Sequence, residues 1–182
     1  MDIEKWTCPI GEQSAQKKMI RDIETTDYPA ILELNLESVR FLSPLGLDQL
    51  AHLHREAAYS KVLEEDGRFA AFILALRNGA DYDSPNYVWF TQRYNMFLYI
   101  DRIVVDRDYR RKGYGENLYS DLTAFAAKEG VGVLACEIDI LPPNPVSRRF
   151  HQKHGFCEVG NQWLYDGKKQ VSYLEKRLIP GQ

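Results

Sequence analysis

Apolar and polar residues alternate along Met19-Ile20-Arg21-Asp22-Ile23, which predicts a short strand. Thr25 and Thr26 then offer a helix N-cap, and Pro29 suits a first helical turn. Ile31, Leu32, Leu36 and Val39 keep a helical period until Phe41-Leu42-Ser43-Pro44-Leu45-Gly46 breaks it. A second helix is expected from about Leu47 to Ser60, with Leu47, Leu50, His54 and Ala57/Ala58 on one face. Residues 62–76 read as a hairpin about the turn Glu65-Asp66-Gly67. Residues 77–96 predict a long loop. Loops of that length are functional or disordered, and the aromatic content here argues against disorder.

The second half alternates strands and helices. Residues 97–105 form an apolar strand. Leu118, Leu122 and Phe125 mark a helix over 115–129, stopped by Gly130. Residues 133–140 are the next strand. Pro142-Pro143-Asn144-Pro145 is a rigid turn into another helix, and 156–159 with 170–178 close the sheet as an antiparallel pair. The predicted order is β-α-α-β-β-β-α-β-α-β-β, a mixed α/β sheet in one domain over 18–182. Residues 1–17 are polar without a clear period and read as a peripheral arm.

Composition changes this picture little. A chain of 182 residues is long enough for one domain with its own core. The net charge of −3 excludes a general nucleic-acid affinity, and the cations that matter are local to 107–112. No apolar run reaches a membrane span. The N-terminus lacks a signal-peptide pattern, and Cys8, Cys136 and Cys157 have no metal-ligand spacing. A cytoplasmic protein without metal or membrane partner is expected. Cys136, in an apolar strand, reads as a core residue. His52 and His54, two apart on a helix, face different ways and do not suggest a metal site.

The candidate chemistry begins at Tyr109-Arg110-Arg111-Lys112-Gly113-Tyr114-Gly115-Glu116-Asn117-Leu118. A basic, Gly-containing turn between a strand and a helix start is an anion site. Glycine permits tight turning, and the first helical N–H groups point outward unpaired. A P-loop needs four residues between its glycines, and a dinucleotide fingerprint needs a third glycine where Leu118 stands. Both fail. What remains, Arg-x-x-Gly-x-Gly, resembles the pyrophosphate signature of the GNAT N-acyltransferases. Downstream, Asn144, Ser147, Phe150, Gly155 and Phe156 match that family's second signature.

The resemblance implies a GNAT-type, mostly antiparallel sheet of about 6–7 strands flanked by about 4 helices. It also implies direct acetyl transfer from acetyl-CoA to an amine within a ternary complex. The pyrophosphate would sit on Arg110, Arg111, Lys112, Gly113, Tyr114, Gly115 and Glu116. The pantetheine would lie along Ile103, Val104 and Val105, with Asn144, Ser147 and Phe150 beside it. In the family a base projects from the strand before the phosphate turn. Here strand alternation puts Tyr99, Asp101 and Ile103 on one face, with Asp101 as the carboxylate. An ordinary aspartate is a poor base unless burial raises its pKa. Glu137 and Asp139 on the neighbouring strand are further candidates, for base or for substrate ammonium. His151 stands where the family has a Tyr that protonates the departing thiolate, and an imidazole N–H can also donate. Leu141-Pro142-Pro143 lengthens the step to Asn144. Glu37 and Arg40 are candidate acceptor contacts, favouring a small amine, amino-acid-like or polyamine-like acceptor. The aromatic loop is open to two readings, acceptor lid or homodimer contact. A non-catalytic acyl-CoA sensor and an acetyltransferase acting on a protein amine are the alternatives.

Overall fold

In the computed structural model, which describes residues 17–178, seven strands make one sheet. The arm expected over 1–17 lies outside the described residues save for Lys17. Strand β1 (Lys18–Asp22) leads into helices α1 (Tyr28–Glu37) and α2 (Leu47–Glu56). The hairpin β2 (Ala57–Glu65) and β3 (Arg68–Arg77) precedes α3 (Pro85–Thr91) and β4 (Leu98–Val105). Then come α4 (Tyr114–Lys128), β5 (Val133–Leu141) and α5 (Pro145–Lys153), and last the hairpin β6 (Cys157–Leu164) and β7 (Lys169–Arg177). The sheet order is β1-β2-β3-β4-β5-β7-β6, and the one parallel pairing among these strands is β4 with β5.

Two elements differ from the sequence pattern. The second helix ends at Glu56 instead of Ser60, because Ala57, Tyr59 and Ser60 pair with Leu76, Ala75 and Leu74 of β3. The alanines suit a helix locally, but the sheet ladder and the burial of Tyr59 decide their state. The loop predicted over 77–96 contains α3. Its start signal was present, Ser84 followed by Pro85 at the first helical position, and Tyr87, Phe90 and Tyr94 follow at helical spacing.

The sheet separates two apolar layers. On one face, Leu118, Tyr119 and Leu122 of α4 pack on Ala71, Ile73, Ile100 and Ile138. On the other, Ile31 and Leu50 of α1 and α2 pack on Phe72, Leu74 and Val104, while Tyr87 and Phe90 of α3 cover Leu76, Tyr99, Ala135 and Tyr173.

A β-bulge in β4 reorganises these faces. Leu74 pairs with Arg102 but Ala75 pairs with Ile100, so Asp101 is an extra residue. Ile100 and Ile103 therefore both join the α4 layer, and Tyr99 and Val104 both join the opposite one. The expectation that Tyr99, Asp101 and Ile103 share a face is thus corrected: simple alternation fails at the bulge. Beyond it β4 and β5 part. Their ladder consists of Leu98 with Leu134 and Tyr99 with Ala135.

Helix α3 is held by aromatic packing. Trp89 stacks on Tyr173 at 4.3 Å, with the Arg93 guanidinium 3.9 Å from its ring. Gly160 makes room for it, since a Cβ there would come within 2.7 Å of the indole. Phe90 is fully buried among Phe97, Tyr99 and Tyr173. Phe90→Ala is expected to lower stability by about 3–5 kcal/mol, the usual cost of a large aromatic cavity. Urea denaturation checks this; a loss under about 1 kcal/mol would mean α3 is not part of the cooperative core.

Candidate functional site

A cleft of about 1090 Å³ opens where β4 and β5 part. The two sheet faces give it two characters. Ile103, Val105, Cys136 and Ile138 line it from the α4 layer, and Asp101, Glu137 and Asp139 from the strands' other side. The phosphate-turn residues and the start of α5 complete one end, and Arg40, Phe41 and Leu42 of the α1–α2 connection form a rim.

The turn is built for an anion. Asp106 caps a short 3-10 turn by accepting from Asp108 N at 2.7 Å. Arg110 Nε donates to Val105 O at 3.0 Å, which ties the turn back to β4. Arg111 (φ 62°) and Gly113 (φ 83°) are left-handed, and they swing the chain into α4. The α4 ladder begins with Asn117 N donating to Gly113 O at 2.9 Å. The N–H groups of Tyr114, Gly115 and Glu116 thus have no acceptor within the helix and carry its positive dipole end. Gly115 has a packing reason: a Cβ there would lie 3.1 Å from the Phe150 ring, so the two sequence signatures touch. Arg110, Arg111, Gly113, Tyr114, Gly115 and Glu116 line the cleft. Lys112 does not; its ammonium lies over the Tyr109 ring. The Tyr114 side chain is buried with its hydroxyl on Glu65, and Glu116 is paired with Lys153.

Asn144 is the N-cap of α5, its Oδ1 accepting from Ser147 N at 3.1 Å, and Pro145 takes the first helical position. Asn144, Ser147 and Phe150 all line the cleft. His151 lines it as well, yet is only 4% exposed. Its Nδ1 lies 2.8 Å from Ser147 O, which can only accept, so Nδ1 carries the proton. Nε2 is then the acceptor for the Tyr119 hydroxyl at 2.8 Å. Burial pushes the imidazole below its ordinary pKa and keeps it neutral. With both nitrogens engaged, this geometry leaves no ring N–H for a leaving thiolate.

The carboxylates are held by Tyr99, a candidate from the sequence, and by Asn86 and Lys169, which sequence reasoning missed. Tyr99 is buried behind Glu137 and donates to its Oε2 at 2.7 Å. Asn86, from the first turn of α3, donates to Oε1 at 2.9 Å. Burial, reinforced by the Asp101 charge, pushes Glu137 up to about 7 against the pull of Tyr99, Lys169 and Asn86. Asp101 accepts from the Tyr82 hydroxyl at 2.7 Å and lies 2.9 Å from Arg102 Nε. Arg102 is itself buried and donates to Asn35 Oδ1 and Ser43 O, which anchors the α1–α2 connection. Asp139 pairs with Lys169 at 2.9 Å. Arg40 stands at the rim, whereas Glu37 is exposed at the end of α1 and does not line the cleft. Among the described residues no group of three His, Cys, Asp or Glu side chains is placed to hold a metal, and no helix is long and apolar enough to cross a membrane.

A helix start with unpaired N–H groups, an apolar slot and carboxylates across a sheet gap share one cleft. The chain belongs to the acetyltransferase (GNAT) family, whose sequence model matches residues 17–156. The family uses acetyl-CoA as co-substrate. Solved structures share the fold. The ribosomal-protein-S18-alanine N-acetyltransferase of Escherichia coli is 23% identical with TM-score 0.68, covering 88% of this chain and 94% of its own. Ard1 from Thermoplasma volcanium is 17% identical with TM-score 0.74, covering 89% and 98%. Arabidopsis thaliana Naa50, in complex with a bisubstrate analogue CoA-Ac-MVNAL, is 15% identical with TM-score 0.66, covering 87% and 97%. No functionally curated protein shows significant sequence similarity.

Two outcomes test the site. Gly113→Val forces a β-branched residue to positive φ, and CoA affinity is expected to fall at least roughly tenfold. Unchanged affinity in titration calorimetry would remove the anion-site assignment. His151→Ala strips packing from Phe150 and Phe156 and leaves Tyr119 without its acceptor. It is expected to lose about 2–4 kcal/mol of stability, with CoA affinity falling alongside. Lost turnover with native stability and affinity would instead restore the acid role.

Proposed function

We propose that this protein transfers an acetyl group from acetyl-CoA to the primary amine of a small molecule, in a single ternary complex. The observation that carries this reading is Glu137. It is a carboxylate at the sheet gap, held by Tyr99 and Asn86 and raised to about 7, in the same cleft as an anion-binding helix start.

The pyrophosphate is held by the N–H groups opening α4, with Arg110 and Arg111 adding charge. The pantetheine follows Ile103–Val105 in the apolar slot between the strands. The amine enters on the acidic face, under the rim formed by Arg40 and Phe41. An alkylammonium of pKa ~10.4 must first lose a proton. A base near the working pH is best suited to take it, and Glu137 fits where an ordinary aspartate would not. The nitrogen lone pair attacks the thioester carbonyl carbon. The C–S bond breaks, its electron pair leaves with sulfur, and the second amine proton passes from the now-cationic nitrogen to that thiolate, while the first stays on Glu137 until solvent takes it. The products are the N-acetyl amide and CoA. A CoA thiol resembles that of Cys, with pKa ~8.5, so the thiolate leaves without help from His151. Asp101 anchors substrate and rim, and Tyr99 positions Glu137.

Thiol release measured against pH tests the assignment. Deprotonated Glu137 is the active form, so turnover rises with pH through about 7. Glu137→Gln is expected to lower turnover by about 10²–10⁴-fold and to remove that limb while CoA still binds. An unaltered pH profile in the variant would exclude Glu137 as base. The linkage to stability has the opposite sense. Folding favours the neutral acid, so this contribution is full below the usual carboxylate range and is lost as pH rises through about 7.

A further inference from the structure

Direct acetyl transfer needs one base, yet three carboxylates line the acidic side of the cleft. Glu137 has both oxygens hydrogen-bonded, to Tyr99 and Asn86. Asp101 Oδ1 accepts from Tyr82, and its Oδ2, without a hydrogen bond, lies 2.9 Å from the Arg102 guanidinium as an ion pair. Asp139 is paired through one oxygen. Its Oδ1 lies 2.9 Å from Lys169 Nζ, but Oδ2 is buried with no hydrogen-bond partner among the described residues, in a side chain only 4% exposed. A buried carboxylate oxygen without a donor is unfavourable, and native proteins rarely leave one. A ligand that brings a charged donor to it gains more than it would in water.

Position tells what that ligand is. Glu137 pairs with Tyr173 and Asp139 with Val171, and both partners belong to the α3-side core. The two carboxylates therefore share a face, two residues apart along β5, or about 7 Å at the strand repeat. We infer that the acceptor is a dication. One amine meets Glu137 and is acetylated, and a second ammonium is held by Asp139, at a spacing of about four carbons set by that strand repeat. A carboxylate on the acceptor is repelled by the acidic lining, which selects against α-amino acids. This inference rests on the acetyl-transfer reading above. It narrows the acceptor from small amines in general to linear diamines and polyamines.

The test uses the full chain with acetyl-CoA. Calorimetry with CoA comes first, then thiol release with 1,4-diaminobutane, butylamine, ornithine and a short peptide with a free N-terminus. A kcat/KM for the diamine at least roughly tenfold above each of the others is expected, the worth of one charged hydrogen bond. Asp139→Asn removes the charge, and is expected to shrink the diamine preference over butylamine about tenfold, mainly through KM, the equivalent of losing that one bond. Lys169→Gln removes the competing cation and is expected to lower the diamine KM, the opposite direction. CoA affinity in each variant reports whether it is folded. Equal use of diamine and butylamine, preference for ornithine or the peptide, or no amine-dependent release while CoA binds would overturn the dication and leave the CoA site standing. Absence of CoA binding would overturn both readings.

Discussion

The site depends on a sheet that stops being a sheet. Strands β4 and β5 are paired at Leu98–Leu134 and Tyr99–Ala135 and then separate. Parallel strands in a core normally continue their ladder, because unpaired backbone groups are costly when buried. Here the bulge at Asp101 bends β4 away, while β5 is satisfied on its far edge by β7. The gap lets one cleft pass from one face of the sheet to the other. The apolar side facing α4 and the acidic side facing α3 then meet only at the strand edge. Segregating an apolar slot from a carboxylate cluster follows from strand alternation on either side of that gap.

Such a gap weakens the middle of the domain, and the two outer layers compensate. On the α3 face, the short helix brings Phe90 and Trp89 onto Tyr99 and Tyr173, and it also carries Asn86 to Glu137. Buried Arg102 joins Asp101 on β4 to Asn35 and Ser43, so the rim of the cleft is tied to the bulge itself. On the α4 face, Phe150 packs over Gly115 and His151 takes the Tyr119 hydroxyl, which binds α5 to α4. His151 thereby joins the packing between helices. Glu137 is the exception to this compensation, since its charged form is disfavoured by burial. That strain is what brings a carboxyl group to a useful pKa.

Much of this was legible in the sequence. The spacing of Arg110, Gly113 and Gly115, with Asn144, Ser147, Phe150 and Gly155-Phe156 downstream, identified the family and the turn that opens α4, because a backbone turn depends on local geometry. The helical and alternating periods placed most elements, since each element buries one face. Boundaries failed where a distant strand decided: Ala57–Ser60 are helical by composition and extended by pairing with β3. Helix α3 went unread although Ser84-Pro85 announced it.

Only the tertiary structure decided the acidic side of the cleft. Alternation aimed Asp101 with Ile103, and a single bulged residue undid that alignment. Glu137 acquires its character from Tyr99, Asn86 and Asp101, which lie 38, 51 and 36 positions away in sequence. His151 matches a signature position, but Tyr119 and Ser147 determine what its nitrogens can do. A helix start with unpaired N–H groups is a property of a few consecutive residues, so the sequence by itself determined it. Burial, proton affinity and the pairing of carboxylates are sums over neighbours from many segments, and only folding brings those neighbours together.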